Sequence, residues 1–322
     1  MKYRILGRTG IQVSEIGYGA WGIGGKQWVG GSDDESIRAL RRALDLGLNF
    51  IDTALAYGDG HSEKLVGKVI REGQHRIHLA SKIPPKNGLW PAQPGIGIES
   101  VFPYEYILRC TEDSLRNLKV DTIDLQQLHV WNPEWFHRDE WRRAFEELKT
   151  AGKVRAVGVS INDHQPDSAL ELVQSGLVDT VQVIYNIFDQ SPEKNLFPLA
   201  QKMNVGVLAR VPFDEGSLTG TITESTEFDP NEFRAFYFRD DRKKQVVERV
   251  AALERDLAGV DGSLAEVALR FTISHPAVTT AIPGMRTVRN VERNAAASDK
   301  GPLDQSTLQI LKRHAWDKNF YS

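Results

Sequence analysis

The sequence predicts an α/β fold in which one domain, residues 1–322, forms a single (β/α)8 TIM barrel preceded by an N-terminal β-hairpin. Short apolar runs with strand character alternate along the chain with segments of helical spacing, which favours a parallel sheet. About eight such units in one chain favour a closed barrel over a doubly wound sheet. No linker-like stretch divides the chain, and its length of 322 residues is ordinary for one barrel.

The predicted elements follow from local patterns. Residues 2–6 and 11–15 flank a glycine-containing turn and predict the hairpin. Helical spacing is clearest at residues 33–46, 104–118, 139–149, 245–257 and 264–273. Ser32 and Ser263 each stand three residues before a glutamate, which predicts a cap at the start of a helix. The barrel strands are predicted at a weak, glycine-rich run, 16–19, and at 49–53, 77–83, 122–129, 154–160, 180–186, 205–211 and 279–283.

Two long irregular stretches, residues 84–103 and 212–240, follow the third and seventh predicted strands of the barrel. Loops of this length inside a compact domain are uncommon and are usually functional or disordered. Because the loops that follow the strands build the active-site face of an α/β barrel, we expect both stretches on that face.

Composition excludes several classes of protein. The net charge of −3 gives no reason to expect a nucleic-acid or membrane-surface partner. Cys110 is the only cysteine, which excludes an internal disulfide and a multi-cysteine metal site. The first ten residues lack the apolar region of a signal peptide, and no apolar run approaches the ~20 residues of a membrane span. We therefore expect a cytoplasmic protein; its oligomeric state is left open.

Gly17 to Gly22 match the G-x-G-x-x-G pattern of dinucleotide-binding folds. That motif acts where it closes a strand and opens a helix whose N-terminus receives the pyrophosphate. Here the next helical pattern begins near Asp33, eleven residues past Gly22, with four more glycines between. The segment therefore indicates a glycine-rich loop at a barrel mouth.

Four polar residues of complementary chemistry lie at the ends of three successive predicted strands. Asp52, Lys82 and His129 end the second, third and fourth strands, and Tyr57 follows Asp52 by five residues. Burying such a group without a partner costs roughly 1–3 kcal/mol or more. Each residue taken singly is typical of a structural ion pair, but the four together on one face favour a catalytic site.

These residue types suit the transfer of a proton to an alkoxide. The pKa of a free tyrosine is near ~10, so it is a weak acid at neutral pH. A neighbouring ammonium lowers that pKa, and a carboxylate can hold the ammonium in place. A histidine can donate a hydrogen bond that orients a carbonyl. Tyr57, Lys82, Asp52 and His129 supply these four roles.

The segments FIDTA with Tyr57, ASK, QLH and GVSIN resemble the aldo-keto reductase superfamily, and the resemblance extends from the hairpin to about Asn294. It implies that Tyr57 is the general acid, that Lys82 and Asp52 tune it, and that His129 orients the carbonyl of a small-molecule substrate. It also implies a nicotinamide cofactor at the barrel mouth and no metal.

By position within that resemblance, Ser160, Asn162 and Gln182 match the residues that bind the nicotinamide carboxamide. Residues 212–220 resemble the family's pyrophosphate loop, and residues 282–294 resemble the segment that holds the adenosine phosphate. Taken alone, Ser160 and Gln182 are also typical of loop capping and a buried hydrogen bond. The residues expected to bind the cofactor are Gly19, Ala20, Trp21, Asp52, Ser160, Asn162, Gln182, Arg210, Pro212, Gly216, Leu218, Gly220, Pro283, Gly284, Met285, Arg286, Asn290 and Asn294.

The choice of cofactor is predicted from arginines. Arg286, Arg289 and Arg293 have the spacing of one helical face, near the start of a helix, where an anion is also favoured. A solvated basic face is the usual meaning of such a run, but a 2′-phosphate needs a cluster of this kind, so NADP(H) is favoured over NAD(H). Arg210 stands where many members of the resembled family stack an aromatic ring on the nicotinamide. Its guanidinium can also stack, and its charge is expected to disfavour the oxidised, cationic ring.

Aromatic residues on or beside the strand-end loops are expected to line an apolar substrate cleft. The aromatic run at residues 233–238 can fold over this cleft, although such runs more often pack as local core. The predicted pocket residues are Trp21, Tyr57, Trp90, His129 and Trp131.

The function predicted first is the reduction of aldehydes or ketones with NADPH. A cofactor-binding regulatory subunit of the same fold, like the potassium-channel beta subunits, keeps the same four residues and stays open. A third interpretation uses Lys82 as a Schiff-base nucleophile in an aldolase-like barrel. That role needs a depressed lysine pKa, whereas Asp52 nearby favours a charged ammonium.

Overall fold

The computed structural model describes residues 1–73 and 76–321 and contains a small hairpin and an eight-stranded parallel sheet. The hairpin pairs β1 (Tyr3–Ile5) with β2 (Gln12–Ser14). The parallel sheet runs in chain order from β3 to β10. Its strands are β3 (Tyr18–Gly19), β4 (Phe50–Asp52), β5 (His78–Ile83), β6 (Ile123–Leu128), β7 (Val154–Ser160), β8 (Thr180–Ile184), β9 (Gly206–Arg210) and β10 (Val278–Ala281).

Helices pack around the outside of this sheet. Their bounds are α1 (Asp33–Asp45), α2 (His61–Glu72), α3 (Ile98–Val101), α4 (Tyr104–Leu118), α5 (Asp139–Thr150), α6 (Leu170–Ser175), α7 (Leu196–Lys202), α8 (Phe233–Tyr237), α9 (Arg242–Asp256), α10 (Leu264–Ser274), α11 (Val288–Lys300) and α12 (Gln305–Lys312). The predicted caps are confirmed, because Ser32 and Ser263 accept hydrogen bonds from the backbone amides of Glu35 and Glu266. No helix within the described ranges combines the length and apolar character that a bilayer crossing requires.

Backbone bridges join the first and last strands of the sheet and close the barrel. Ile16 pairs in parallel with Ala281, and Gly19 pairs with Gly284. The closure brings two backbone segments very close together, since a Cβ on Gly19 would lie 2.5 Å from the carbonyl oxygen of Ile282. Glycine is required at position 19 for this reason, which explains part of the glycine-rich segment.

The N-terminal hairpin fills one end of the barrel. Leu6 and Val13 of the hairpin belong to a buried cluster with inward-facing strand residues, including Phe50, Leu125 and Leu208. A second, larger apolar cluster lies between the sheet and the helices. With the N-terminal end plugged by apolar side chains, the carboxyl ends of the strands are left as the open end, where loops and polar residues gather.

The sequence-based strand predictions agree with the structure within one or two residues, and β7 agrees at both ends. The two long stretches do follow β5 and β9, and each contains a short helix, α3 and α8 respectively. One prediction about helix α11 is wrong. Helix α11 begins at Val288 with Thr287 as its cap, so Arg286 precedes the helix and does not share a helical face with Arg289 and Arg293.

Candidate active site

The four residues singled out from the sequence meet at the carboxyl end of the barrel. Asp52 ends β4, Lys82 lies on β5, His129 directly follows β6, and Tyr57 lies in the loop between β4 and α2. Lys82 is fully buried, and its Nζ donates to Asp52 Oδ2 at 2.5 Å and to Tyr57 Oη at 3.2 Å. One ammonium therefore joins the carboxylate to the phenol.

Backbone contacts hold this ammonium in place. Lys82 Nζ also donates to the carbonyl oxygen of Thr53 at 2.8 Å, and the Thr53 hydroxyl bonds the Ser62 hydroxyl at 2.9 Å. The loop that carries Tyr57 turns at Gly58, where φ is +65° and a Cβ would lie 2.0 Å from the Gly24 carbonyl oxygen. Only glycine allows this approach, so the position of Tyr57 depends on a local backbone requirement.

The charges of the cluster follow from burial and from these partners. Burial acts to lower the pKa of Lys82, but the neighbouring Asp52 carboxylate and the Tyr57 phenol outweigh it and raise that pKa. Lys82 is therefore an ammonium at neutral pH, which argues against the Schiff-base role. Burial raises the pKa of Tyr57 above its ordinary value, although Lys82 acts to lower it. The expectation that the ammonium would leave Tyr57 with a depressed pKa is thus wrong for this structure, because desolvation prevails.

His129 is neutral in this setting. Its pKa lies well below the ordinary value, because its ring is withdrawn from water and faces the positive charges of Lys82 and Arg210. Its Nδ1 is buried and has no hydrogen-bond partner within the described residues. A neutral imidazole of this kind can donate one hydrogen bond to a substrate oxygen without itself acting as a strong acid.

Two glutamines that face the barrel interior bind the other oxygen of Asp52. Gln182 Nε2 donates to Asp52 Oδ1 at 2.9 Å and Gln127 Nε2 donates to it at 3.4 Å. Gln182 was predicted from the resemblance, whereas Gln127 was missed. A signal for Gln127 was present, because it lies two residues before His129 on one strand and so points to the same face.

Aromatic rings form the rim of the opening. The ring centroid of Trp21 lies 6.3 Å from that of Tyr57, and Tyr57 lies 5.6 Å from His129. Trp90, which is 47% exposed, meets His129 edge-on at 4.5 Å. Phe233 of the predicted aromatic run contacts Trp21 at 5.1 Å. These rings can line an apolar cleft above the four polar residues.

Trp131 does not line this cleft, and its assignment to the substrate pocket is wrong. It is fully buried against Trp135 and Trp141, and its Nε1 donates to the carbonyl oxygen of Ser168. The sequence located it correctly in the loop after β6. Position after a strand does not determine whether a side chain points towards the opening or into the core.

The loop of residues 84–103, which carries Trp90, is held by side chains from two neighbouring loops. Asn162 both donates to and accepts from the backbone of Ala92, at 3.1 Å each. Glu134 accepts from the amide of Gly95, and further bonds come from Asn132 and Trp135. Asn162, expected at the carboxamide, is therefore engaged with this loop, and residues 132–135 have a role that the sequence did not reveal.

Arg210 at the end of β9 is paired. Its NH2 donates to Asp163 Oδ1 at 2.6 Å and to the carbonyl oxygen of Ile161 at 3.0 Å. Its Nε is buried and lacks a partner within the described residues. The expectation of an uncompensated positive charge at this position is wrong, because Asp163, which the sequence did not single out, balances it.

The loop after β9 has an unusual backbone. Between Pro212 and Gly220 the chain makes 3-10 turns in which Gly216 and Gly220 have φ of +108° and +70°. Leu218 is fully buried and anchors the loop. The amides of Gly216 and Leu218 both donate to the Phe213 carbonyl oxygen at 3.0 Å, which tightens the loop. A backbone with successive positive φ values can form the concavity that an anion requires.

The remaining residues expected to bind the cofactor border the same opening or the start of α11. Ser160 ends β7 and is buried, Ala20 donates its amide to the Asp52 carbonyl oxygen, and Met285 accepts a hydrogen bond from Tyr18. The amide of Asn290 donates to the Thr287 side chain. Pro283 is buried and Gly284 is exposed beside them.

Arg286 and Asn294 border this part of the surface. Arg286 NH1 donates to the carbonyl oxygen of Val29, and its guanidinium lies 5.4 Å from the Trp28 ring. Asn294 on α11 is buried, and its Nδ2 lacks a hydrogen-bond partner within the described residues. Unpaired buried nitrogens are costly, so those of His129, Arg210 and Asn294 fit a polar ligand that extends from the mouth to α11.

Comparison with known proteins gives the family. The model of the Aldo/keto reductase family matches residues 15–315. The aldo-keto reductase YhdN of Bacillus subtilis is 33% identical over 89% of this chain and 85% of its own. The NADH-specific methylglyoxal reductase of Escherichia coli is 29% identical over 92% of this chain and 93% of its own.

The comparison with solved structures gives the same family. An aldo-keto reductase of Bacillus halodurans in its holo form has a TM-score of 0.78 at 29% identity and covers 98% of this chain and 96% of its own. An aldo/keto reductase from Klebsiella pneumoniae in complex with NADP and acetate has a TM-score of 0.71 at 25% identity, with 99% and 98% covered. The matched residues include β3 to β10 and all four residues that meet at the barrel mouth. This chain therefore belongs to the aldo/keto reductase family, a family of oxidoreductases.

Proposed function

We propose that the protein is an NADP(H)-dependent oxidoreductase that reduces aldehydes or ketones to alcohols, with Tyr57 as the general acid. The observation that carries the proposal is the buried ammonium of Lys82, which holds Asp52 on one side and the Tyr57 hydroxyl on the other. Its setting beside a neutral His129 and an aromatic rim provides a proton donor, a carbonyl-orienting group and an apolar cleft at one opening.

The residues divide the chemistry among them. NADPH, when bound, supplies a hydride to the carbonyl carbon. His129 donates a hydrogen bond to the carbonyl oxygen, and Tyr57 gives its hydroxyl proton to the oxygen as charge develops there. The raised pKa of Tyr57 keeps that proton in place at neutral pH. Lys82 stabilises the phenolate that remains, and Asp52 keeps Lys82 charged and oriented.

The cofactor assignment rests on residues of this chain and on the NADP-bound relative. We assign Gln182 and Ser160 to the nicotinamide and residues 212–220 to the pyrophosphate, and Arg286 lies one residue before the cap of α11. A helix N-terminus and an arginine together favour a phosphate. The NADH-specific relative shows that 29% identity does not decide between the two cofactors, so the preference for NADP is part of the proposal.

The proposal includes the setting of the enzyme. One domain carries the whole site, since residues from β3 to α11 contribute to it. We place the protein in the cytoplasm, acting on a small-molecule carbonyl without a nucleic-acid or membrane partner.

Tyr57→Phe is the direct test. The variant removes the proposed proton donor and keeps the ring that contacts Trp21 and His129, so NADPH binding should persist. The rate of carbonyl reduction should fall by at least ~100-fold, the low end of general acid catalysis. Near-wild-type turnover of generic aldehydes by the variant would contradict the role of Tyr57. A wild type that binds NADPH but turns over none of a broad carbonyl panel would instead favour a regulatory protein.

A further inference from the structure

The loop proposed to receive the pyrophosphate carries two buried acids, which is unfavourable for binding an anion. Asp214 is 2% exposed and Glu215 is 8% exposed, and both have positive φ. Carboxylates near a phosphate repel it and weaken its binding. The loop therefore needs compensation from elsewhere in the protein, and the structure shows where it comes from.

Lys318, in the C-terminal segment, compensates the negative charge of Asp214. Its Nζ donates to both oxygens of Asp214 at 2.9 Å and to the Tyr237 hydroxyl at 2.7 Å. Lys318 is itself buried and lies 4.3 Å from the centroid of the Phe320 ring. A lysine enclosed in this way, with all three donors used, is a specific partner for one carboxylate.

Tyr321 compensates Glu215. The Tyr321 hydroxyl donates to Glu215 Oε1 at 2.7 Å. The charged and titratable groups that face Glu215 are Asp214 on the same loop, Arg210 on β9 and Asp163 after β7. Tyr237 on α8 adds a further phenol. Burial, ahead of these neighbours, raises the pKa of Glu215 to about 7.

We propose that the C-terminal segment, residues 313–321, is part of the cofactor site: Lys318 and Tyr321 position and compensate the acids Asp214 and Glu215, so that the loop of residues 212–220 can hold a pyrophosphate. The segment is anchored for this task, because the Trp316 amide donates to the Phe188 carbonyl oxygen at 2.8 Å. The inference rests on the proposed function, since it assumes a dinucleotide on that loop.

Glu215 adds a dependence on pH. A pyrophosphate beside Glu215 favours its neutral form, so binding of the cofactor takes up a proton from solvent onto Glu215. Affinity for NADPH should therefore fall as the pH rises through about 7. Asp214 lies instead in an ion pair with Lys318.

The first experiment measures the dissociation constant of NADPH by fluorescence titration of the full chain. Lys318→Met leaves Asp214 uncompensated and should weaken NADPH by at least about tenfold, or roughly 1.4 kcal/mol. Adding Asp214→Asn to the same chain removes the stranded charge and should restore most of the affinity. Lys312→Met, an exposed lysine on α12, is the matched control. Adenosine 2′-monophosphate, which has no pyrophosphate, should bind all four proteins equally.

Rescue by Asp214→Asn separates charge compensation from a purely structural role, since a loss of packing would persist in the double variant. If Lys318→Met weakens NADPH without rescue, or leaves it unchanged, the inference is wrong while the proposed function stands. If the wild type itself fails to bind NADPH, the cofactor assignment fails first and the inference fails with it.

The second experiment follows the NADPH dissociation constant from pH 6 to pH 8.5 at fixed ionic strength. The wild type should lose affinity across this range, by up to about tenfold per pH unit where Glu215 titrates. Glu215→Gln should bind NADPH with little pH dependence, because its side chain stays neutral. An equal pH dependence in both proteins would overturn the assignment to Glu215. Circular dichroism of Glu215→Gln at both pH limits checks that the fold is retained.

Discussion

Replacing Lys82 by methionine removes the charge that joins the acid to its carboxylate. In the native protein Lys82 Nζ bonds Asp52 at 2.5 Å, the Thr53 carbonyl oxygen at 2.8 Å and Tyr57 at 3.2 Å. Methionine matches the length and apolar stem of lysine, so the volume of the site changes little. The effect should therefore be electrostatic, and it divides into a cost for catalysis and a cost for stability.

The catalytic cost follows from the Lys82–Tyr57 contact. A hydrogen bond to a charged group contributes roughly 1.5–3 kcal/mol. Losing that contribution from the stabilisation of the phenolate should slow hydride transfer and protonation by about 10- to 150-fold. The pKa of Tyr57 should rise further, because the effect of Lys82 that lowers it is gone while burial and Asp52 remain. The alkaline limb of the pH–rate profile should move upward.

The cost for stability follows from Asp52. Leaving one member of a buried ion pair without its partner costs about 3–5 kcal/mol. Gln182 and Gln127 still donate to Asp52 Oδ1, so the lower part of that range is expected. Adding Asp52→Asn to Lys82→Met should recover most of the stability without recovering the rate. This double variant separates the two effects.

The assay combines single-turnover reduction of an aldehyde, followed by loss of NADPH absorbance across pH 6–11, with denaturant unfolding of the same proteins. If the double variant regains both stability and rate, Lys82 has only a structural role. If Lys82→Met loses rate but the pH profile keeps its shape, Lys82 does not act on the pKa of Tyr57, and the mechanism proposed for it is refuted.

Two further predictions concern the cofactor phosphate and pH-dependent stability. Arg286→Ala should weaken NADPH by about ten- to a hundredfold, because a charge-assisted bond to the 2′-phosphate contributes roughly 1.5–3 kcal/mol. NADH affinity should hardly change, and equal losses for both cofactors in titrations at fixed ionic strength would show that Arg286 does not read the phosphate. The folded-state pKa of Glu215, raised from 4.5 to about 7, destabilises the protein progressively as the pH rises between those values. The free energy of unfolding of Glu215→Gln should therefore increase relative to that of the wild type, by up to roughly 3 kcal/mol, as the pH rises from 4.5 to 8. Denaturant unfolding measures this difference, and a difference that does not change with pH would contradict the prediction.

The barrel could be predicted from the sequence because its strands are short, apolar and separated by helical patterns. The β7 run at residues 154–160 is the clearest case, since a buried parallel strand reads as a nearly continuous apolar segment. Helices α2 and α12 were not predicted. Helix α2 starts after Gly60 without a side-chain cap, whereas the cap of α12 was overlooked, since Asp304 accepts a hydrogen bond from the Thr307 amide. The place of Arg286 outside α11 could not be derived from spacing alone, since spacing describes a helix only once its first residue is known.

The catalytic cluster was predictable for a different reason. Polar residues in an otherwise apolar strand stand out, and Asp52, Lys82 and His129 each lie at or next to the end of such a strand. The partners of the cofactor loop were not predictable, because Lys318 lies 104 residues from Asp214 along the chain. A contact between distant loops leaves no periodic signal. Asp163 was missed in the same way, although it lies next to Asn162.

The pairing of Arg210 with Asp163 changes what sets the charge at the position proposed for the nicotinamide. An arginine alone would disfavour the oxidised, cationic ring at every pH, whereas the ion pair at 2.6 Å is close to neutral. Glu215, which faces the same pair, then decides the balance: the three groups carry no net charge when Glu215 is protonated and one negative charge when it ionises. That ionisation occurs at about pH 7 in the free protein and at a higher pH beside a bound pyrophosphate. A negative charge favours the cationic ring, and a rising pH also favours the phenolate of Tyr57 that alcohol oxidation requires. Both titrations therefore act in one direction, and we expect reduction to prevail at acidic to neutral pH and oxidation to gain as the pH rises.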